Sequence, residues 1–197
     1  EILSDLPLET VAPIFRLIPK DIAAEVFAEL DLTVATELLQ YLTEKEAVFL
    51  KHFYDSLTIC KIIDLNKINT LCDIGTGAGF PGLVLKIMFP NLKIDLLDST
   101  NKKCLFLQMV ISKLQLKEIN VINARAEEYA INNREKYDIV TSRAVAPLKH
   151  LLEYSIPVLK VNGKFISLKS NIDLELENIK VYGNYLKLEI NLLHSYI

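Results

Sequence analysis

Asp73-Ile74-Gly75-Thr76-Gly77-Ala78-Gly79-Phe80-Pro81-Gly82 follows an apolar, strand-like run over residues 68–74 and leads into a helical pattern over residues 83–89. Glycine is required where the chain turns with positive φ, or where backbone must approach a ligand with no Cβ between them. A strand, a glycine-rich turn and a helix start together predict a nucleotide-type binding site. A second apolar run, residues 92–97, ends in Asp98, sixteen residues after Gly82. A carboxylate at the end of the second strand is placed to grip a ribose hydroxyl pair. Gly75, Gly77 and Gly79 have a Gly-x-Gly-x-Gly spacing, which points to S-adenosylmethionine rather than a dinucleotide.

Outward from this motif, strands and helices alternate. Strands are expected at residues 68–74, 92–97, 119–123, 137–142 and 163–168, with helices at 83–89, 101–116, 127–131 and 147–159. A further helix over 173–182 and a strand over 185–193 are expected beyond them. Such alternation predicts an α/β fold with a doubly wound, mostly parallel sheet. Ligands bind such sheets at the carboxyl ends of the strands, beside the reversal in strand order. Gly75 to Gly82, Asp98, Arg125 with Glu127, and Arg143 all fall at those ends.

Upstream the character differs. Leu6, Ile18, Leu30 and Leu42 recur every twelve residues, and Pro7 and Pro19 each precede an acidic residue two places on. Proline followed by a first-turn carboxylate marks helix starts, so residues 1–43 are expected to form short all-α repeats that stack on neighbours. They resemble the N-terminal cytoplasmic domain of MgtE-type magnesium transporters over residues 3–42, with Ile18-Pro19-Lys20-Asp21-Ile22 in the best-matching stretch. Residues 44–63 are expected to form one helix, since Ala47, Leu50, Phe53, Tyr54, Leu57 and Cys60 share a face.

Charge divides at the same place. Residues 1–50 hold three basic and ten acidic side chains, residues 51–197 nineteen and fifteen, within a chain of net charge −3. The larger segment can thus meet an anionic partner. No apolar run reaches the ~18 residues that span a membrane, and residues 1–5 lack the features of a signal peptide. Cys60, Cys72 and Cys104 form no Cys-x-x-Cys pair, and each lies in an apolar run, which predicts buried, reduced thiols, no disulfide partner and a cytoplasmic setting. No cluster of His, Cys and Asp has metal-ligand spacing.

Five motifs occur in order: His52-Phe53-Tyr54-Asp55-Ser56, the glycine stretch, Leu97-Asp98-Ser99, Asn123-Ala124-Arg125-Ala126-Glu127 and Ser142-Arg143-Ala144-Val145-Ala146. Together they resemble the RsmG (GidB) family over roughly residues 44–197. The resemblance implies a Rossmann-like class I methyltransferase that uses S-adenosylmethionine to methylate N7 of a guanine in bacterial 16S ribosomal RNA, acting on that RNA or on the small ribosomal subunit. It implies that Gly75 and Phe80 line the cofactor site, that Ala126 and Glu127 flank the adenine, and that Arg143 belongs to the cofactor set and is the candidate catalytic residue. Gly77 and Gly79 would let backbone approach the methionine part.

Guanine N7 carries a lone pair and no proton, so its methylation requires no general base. Arg125 and Lys169, at strand ends, are the first candidates for RNA contact. Lys102 fits either a phosphate contact or a solvated helix turn. His52 and Asp55, three apart, share a helical face and fit either the site mouth and RNA or a helix-capping pair. Two alternative functions are a methyltransferase acting on another substrate and a non-catalytic interaction protein that holds the cofactor. The family's N-terminal helices are expected to be replaced here by the repeats, and its final edge strand to be missing, which would leave residues 185–193 with an exposed edge.

Overall fold

The computed structural model describes residues 50–143 and 145–169. The chain divides into two compact units, Glu1–Thr58 with Leu193–Ile197, and Ile59–Leu192. The repeats expected over residues 1–43, the helix over 173–182 and the strand over 185–193 lie outside the described residues.

In the first unit, the helix expected over residues 44–63 is described from Leu50. Its winding changes: Leu50–Tyr54 is a π-helix and Asp55–Leu57 is α-helical. A 3₁₀ turn, Thr58–Lys61, ends it, with Ile59 already in the second unit. The physical reason lies in two hydroxyls. Ser56 Oγ donates to the His52 carbonyl at 2.7 Å and Thr58 Oγ1 to the Asp55 carbonyl at 2.6 Å. Back-bonding of this kind competes with the regular backbone ladder.

The second unit holds five strands: β1 (Thr70–Ile74), β2 (Lys93–Asp98), β3 (Ile119–Asn123), β4 (Tyr137–Arg143) and β5 (Leu159–Leu168). All neighbours are parallel, in the order β3-β2-β1-β4-β5. The helices between them are α1 (Gly82–Met88), α2 (Asn101–Lys113), α3 (Ala126–Asn132) and α4 (Leu148–Val158). Strand order reverses at β1, which is flanked by β2 and β4. The crevice expected for a ligand therefore opens above Ile74, Leu97 and Ser142, which lie side by side. β5 begins earlier than its apolar run suggested. Leu159 pairs with Tyr137, the register then slips, and Lys164 pairs with Ile139. The extra residues bulge around Asn162, whose φ is 66°.

Alternation assigns the faces. Cys72, Ile74, Leu97 and Val140 point to one side, where Ala130 of α3 and Val158 of α4 complete a buried cluster. Asp73 and Leu96 point to the other, beneath Gly82 at the start of α1. β1 and β2 are buried on both faces, as central parallel strands are. Each fully buried aliphatic side chain there contributes roughly 1.5–3 kcal/mol. Cys72 and Cys104 are buried as expected, whereas Cys60 is exposed. Its apolar neighbours Ile59 and Leu65 turn inward while the 3₁₀ turn carries Cys60 outward. Among the described residues no helix is long and apolar enough to cross a membrane.

Candidate functional site

The glycine turn begins where β1 leaves the sheet. Gly75 and Thr76 both donate their amides to the Leu97 carbonyl, at 2.7 and 3.1 Å, so the turn is tied to the end of β2. Gly79 and Phe80 then donate back to the Thr76 carbonyl, closing a tight loop. Gly75, Gly77 and Gly79 have φ of 68°, 61° and 100°. Their surroundings differ. A Cβ on Gly75 would lie 2.5 Å from Cγ2 of Val145, and one on Gly79 would lie 2.8 Å from Cβ of Leu83. Among the described residues, a Cβ on Gly77 would meet only the Gly75 carbonyl, at 3.9 Å. The turn is thus packed from behind at two glycines and open in front at the third.

Asp98 closes one side. Its Oδ2 accepts from the Gly77 amide at 3.0 Å and its Oδ1 from the Thr100 amide at 2.8 Å. The Lys103 ammonium stands 3.5 Å from Oδ2. Burial opposes ionisation of this carboxyl, but the Thr100 and Gly77 amides outweigh it and hold Asp98 below the usual carboxylate range. It is an acceptor-only group with lone pairs to spare, as a ribose clamp must be.

On the opposite side of the crevice, Arg143 ends β4 and lies with its guanidinium 5.1 Å from the centre of the Phe80 ring. At the end of β3, Arg125 Nε donates to Glu127 Oε1 at 2.7 Å, on an exposed surface beside Ala126 at the start of α3. Each holds the other charged: the pairing lowers the Glu127 carboxyl and raises the Arg125 guanidinium. Lys102 is exposed on the first turn of α2, and Lys169 follows directly on β5. Gly75, Gly77, Gly79, Phe80, Asp98 and Arg143 are therefore gathered at the ends of β1, β2 and β4, with Ala126, Glu127 and Arg125 at the end of β3. His52 belongs to the first unit, where its carbonyl accepts from Ser56.

Two residues that hold the site together escape a sequence reading. Asp73 lies within the glycine motif, but its partners are distant. It is fully buried, accepts from the Gly82 amide at 2.9 Å and from the Thr141 hydroxyl at 3.1 Å, and so joins α1 and β4 to β1. Val145 reaches back from the loop after β4 to cover Gly75. Nothing in local spacing signals either contact. The only pointer is that Gly82 follows Asp73 at nine residues, at the start of a helix.

Burial pushes the Asp73 carboxyl up to about 6, despite the opposing Thr76, Gly82, Thr141 and Arg143 interactions. A folded-state value raised from 3.8 means that the neutral form is preferred in the fold. The stabilising contribution is complete below the unfolded value and is lost as pH rises through about 6. Wild type should therefore lose about 2 kcal/mol relative to Asp73→Asn between about pH 4.5 and about pH 7. Paired urea titrations across that range check this, and a difference independent of pH would refute it.

Five parallel strands, helices between them and a glycine turn at the reversal of strand order define a Rossmann-like α/β domain. Its fold is similar to that of ribosomal protein L11 methylase from Lactobacillus delbrueckii subsp. bulgaricus, with a TM-score of 0.58 at 16% identity, covering 74% of each chain. Residues 26–189 match the model of the GidB family, rRNA small subunit methyltransferase G, and the chain belongs to that family. Ribosomal RNA small subunit methyltransferase G of Acetivibrio thermocellus is 48% identical over 163 residues, which is 82% of this chain and 64% of the relative. The Bacillus subtilis protein of the same name is 44% identical over 161 residues, 80% of this chain and 67% of that one. The chain thus spans about two thirds of the length of these curated relatives. The family match begins at residue 26, inside the segment expected to form repeats.

Proposed function

We propose that this chain transfers a methyl group from S-adenosylmethionine to N7 of a guanine in 16S ribosomal RNA, in the cytoplasm, with the RNA or the small ribosomal subunit as partner. The observation that carries this reading is the pairing of the open Gly77 turn with the ionised Asp98, at the switch point of a family member's sheet.

The residues present fit such a group. A Cβ on Gly77 would meet no side chain of the other described residues within 4 Å, so a ligand can lie against bare backbone there. Asp98 would take the ribose hydroxyls, Ala126 and Glu127 would flank the adenine, and Phe80 would wall the site beside Arg143. When bound, S-adenosylmethionine supplies an electrophilic methyl on a sulfonium. The protein's contribution is then alignment and charge. Guanine N7 presents a lone pair, so no residue must take a proton, and holding the two reactants in line can supply most of the acceleration. Arg143, a cation at the end of β4, would hold the substrate through a phosphate while positive charge passes from the sulfonium to the methylated purine. Arg125, Lys102 and Lys169 would meet phosphates, which position RNA without reading its sequence.

The test is transfer of labelled methyl to small ribosomal subunits, followed by mass analysis of the nucleosides. The wild-type chain should yield 7-methylguanosine, and Arg143→Ala should reduce kcat/KM by about a hundredfold. A labelled product containing no 7-methylguanosine would reject this substrate and leave a methyltransferase of another specificity.

A further inference from the structure

At the end of the sheet away from the glycine turn, side chains from three elements and Lys136, just before β4, form a closed ring. Tyr137, at the start of β4, donates its buried hydroxyl to Asp95 Oδ2 of β2. Lys136 Nζ donates to the same Oδ2 at 2.9 Å and to the Tyr129 hydroxyl at 2.8 Å. Tyr129, on α3, stands 2.6 Å from the Tyr137 hydroxyl. Asn120 of β3 donates to the remaining Asp95 oxygen at 2.8 Å.

The proton positions in this ring follow from counting. Tyr137 has one hydroxyl proton and gives it to Asp95, so it can only accept from Tyr129. Tyr129 therefore donates to Tyr137 and accepts from Lys136, and every proton has a single place. Although burial opposes it, the Tyr137, Asn120 and Lys136 donors hold Asp95 below the usual carboxylate range, which keeps the ring's acceptor ionised. Lys136 also lies over both tyrosine rings, at 5.5 and 5.1 Å from their centres.

The helix that this ring grips needs it. α3 has only seven residues, too short to be stable alone. It buries one side chain, Ala130, with Ala126 and Tyr129 only partly buried against the same cluster, so polar bonds add to a modest apolar contact. Tyr129 is anchored to a rigid strand pair, and Asn133 Nδ2 donates to the Tyr129 carbonyl at 2.9 Å, fastening the far end. Ala126 and Glu127 lie less than one turn before Tyr129, about 4.5 and about 3 Å along the axis.

We propose that Tyr129, Tyr137 and Asp95 are positioning residues for adenine recognition: through them the sheet sets where the first turn of α3 stands at the cofactor site. This rests on the reading of that site as an S-adenosylmethionine site. None of the three touches the cofactor; they act through the placement of Ala126 and Glu127.

The test is calorimetric titration of the full chain with S-adenosylhomocysteine and with S-inosylhomocysteine, in which a carbonyl replaces the adenine amino group. Wild type should favour the adenosyl compound. Tyr129→Phe removes one hydroxyl and no volume. It should weaken the adenosyl compound about fivefold and the inosyl compound less, so that discrimination narrows while the melting temperature moves by only a few degrees. Tyr137→Phe should narrow it in the same way. Tyr129→Phe that melts earlier yet keeps wild-type affinities for both compounds would overturn the proposal, because the ring would then serve stability alone. Failure of wild type to bind S-adenosylhomocysteine would instead remove the site reading beneath it.

Discussion

Gly82→Ala is expected to destabilise the protein by about 2–4 kcal/mol and to abolish cofactor binding together with the fold's local order. The new methyl would lie 2.4 Å from Leu96 Cδ2, 2.8 Å from Asp73 Oδ2 and 2.9 Å from Asp73 Cβ. None of these can retreat easily. Leu96 is fully buried in a central strand, and Asp73 is held by the Gly82 amide and the Thr141 hydroxyl. Displacing Asp73 would leave a buried carboxyl without its donors, which adds to the steric term. Differential scanning calorimetry should show a fall of about 5–15 °C in Tm. A melting temperature within a degree or two of wild type would show that α1 can shift outward cheaply, and that the contact is softer than the geometry implies.

Asp98→Ala is expected to act the other way round, with a large loss of binding and a smaller loss of stability. The substitution takes the acceptor from two backbone amides, Gly77 and Thr100, and removes the carboxylate proposed to hold the ribose. Gly77 is the open point of the turn, so water can reach its amide and soften the stability loss. Affinity for S-adenosylhomocysteine should fall about a hundredfold, the effect of one charge-assisted hydrogen-bond pair plus a looser turn. Asp98→Asn, which keeps an acceptor but not the charge, should fall between. Titration calorimetry on all three proteins gives the ranking. Equal affinity for wild type and the alanine variant would show that the carboxylate serves the turn and not a ligand.

Sequence patterns placed the five strands because their signals are local. Residues 119–123 were read with the bounds the fold has, and Asp98 sits at the end of β2 as its apolar run indicated. The start of β5 was misplaced because a bulge pairs Leu159 with Tyr137 through contacts that no local pattern carries. The helix at the amino-terminal side was read as regular because its apolar spacing is regular, while the hydroxyls of Ser56 and Thr58 decided its winding. At the site, the glycines were legible as a motif but their separate reasons were not. Gly75 answers to Val145, seventy residues on, whereas Gly77 answers to open space. Arg125 illustrates the limit for charge. Its position at a strand end was plain, but its engagement with Glu127 depends on side-chain geometry that composition does not encode.

The contact of Val145 with Gly75 has a mechanical consequence. The segment that leaves β4 beyond Arg143 leans on the first residue of the turn that leaves β1, so the two banks of the crevice brace each other. A ligand arriving there meets a wall already assembled. Where Val145 and Gly75 meet, little remains to be ordered at the moment of encounter, and the entropic toll of association falls accordingly.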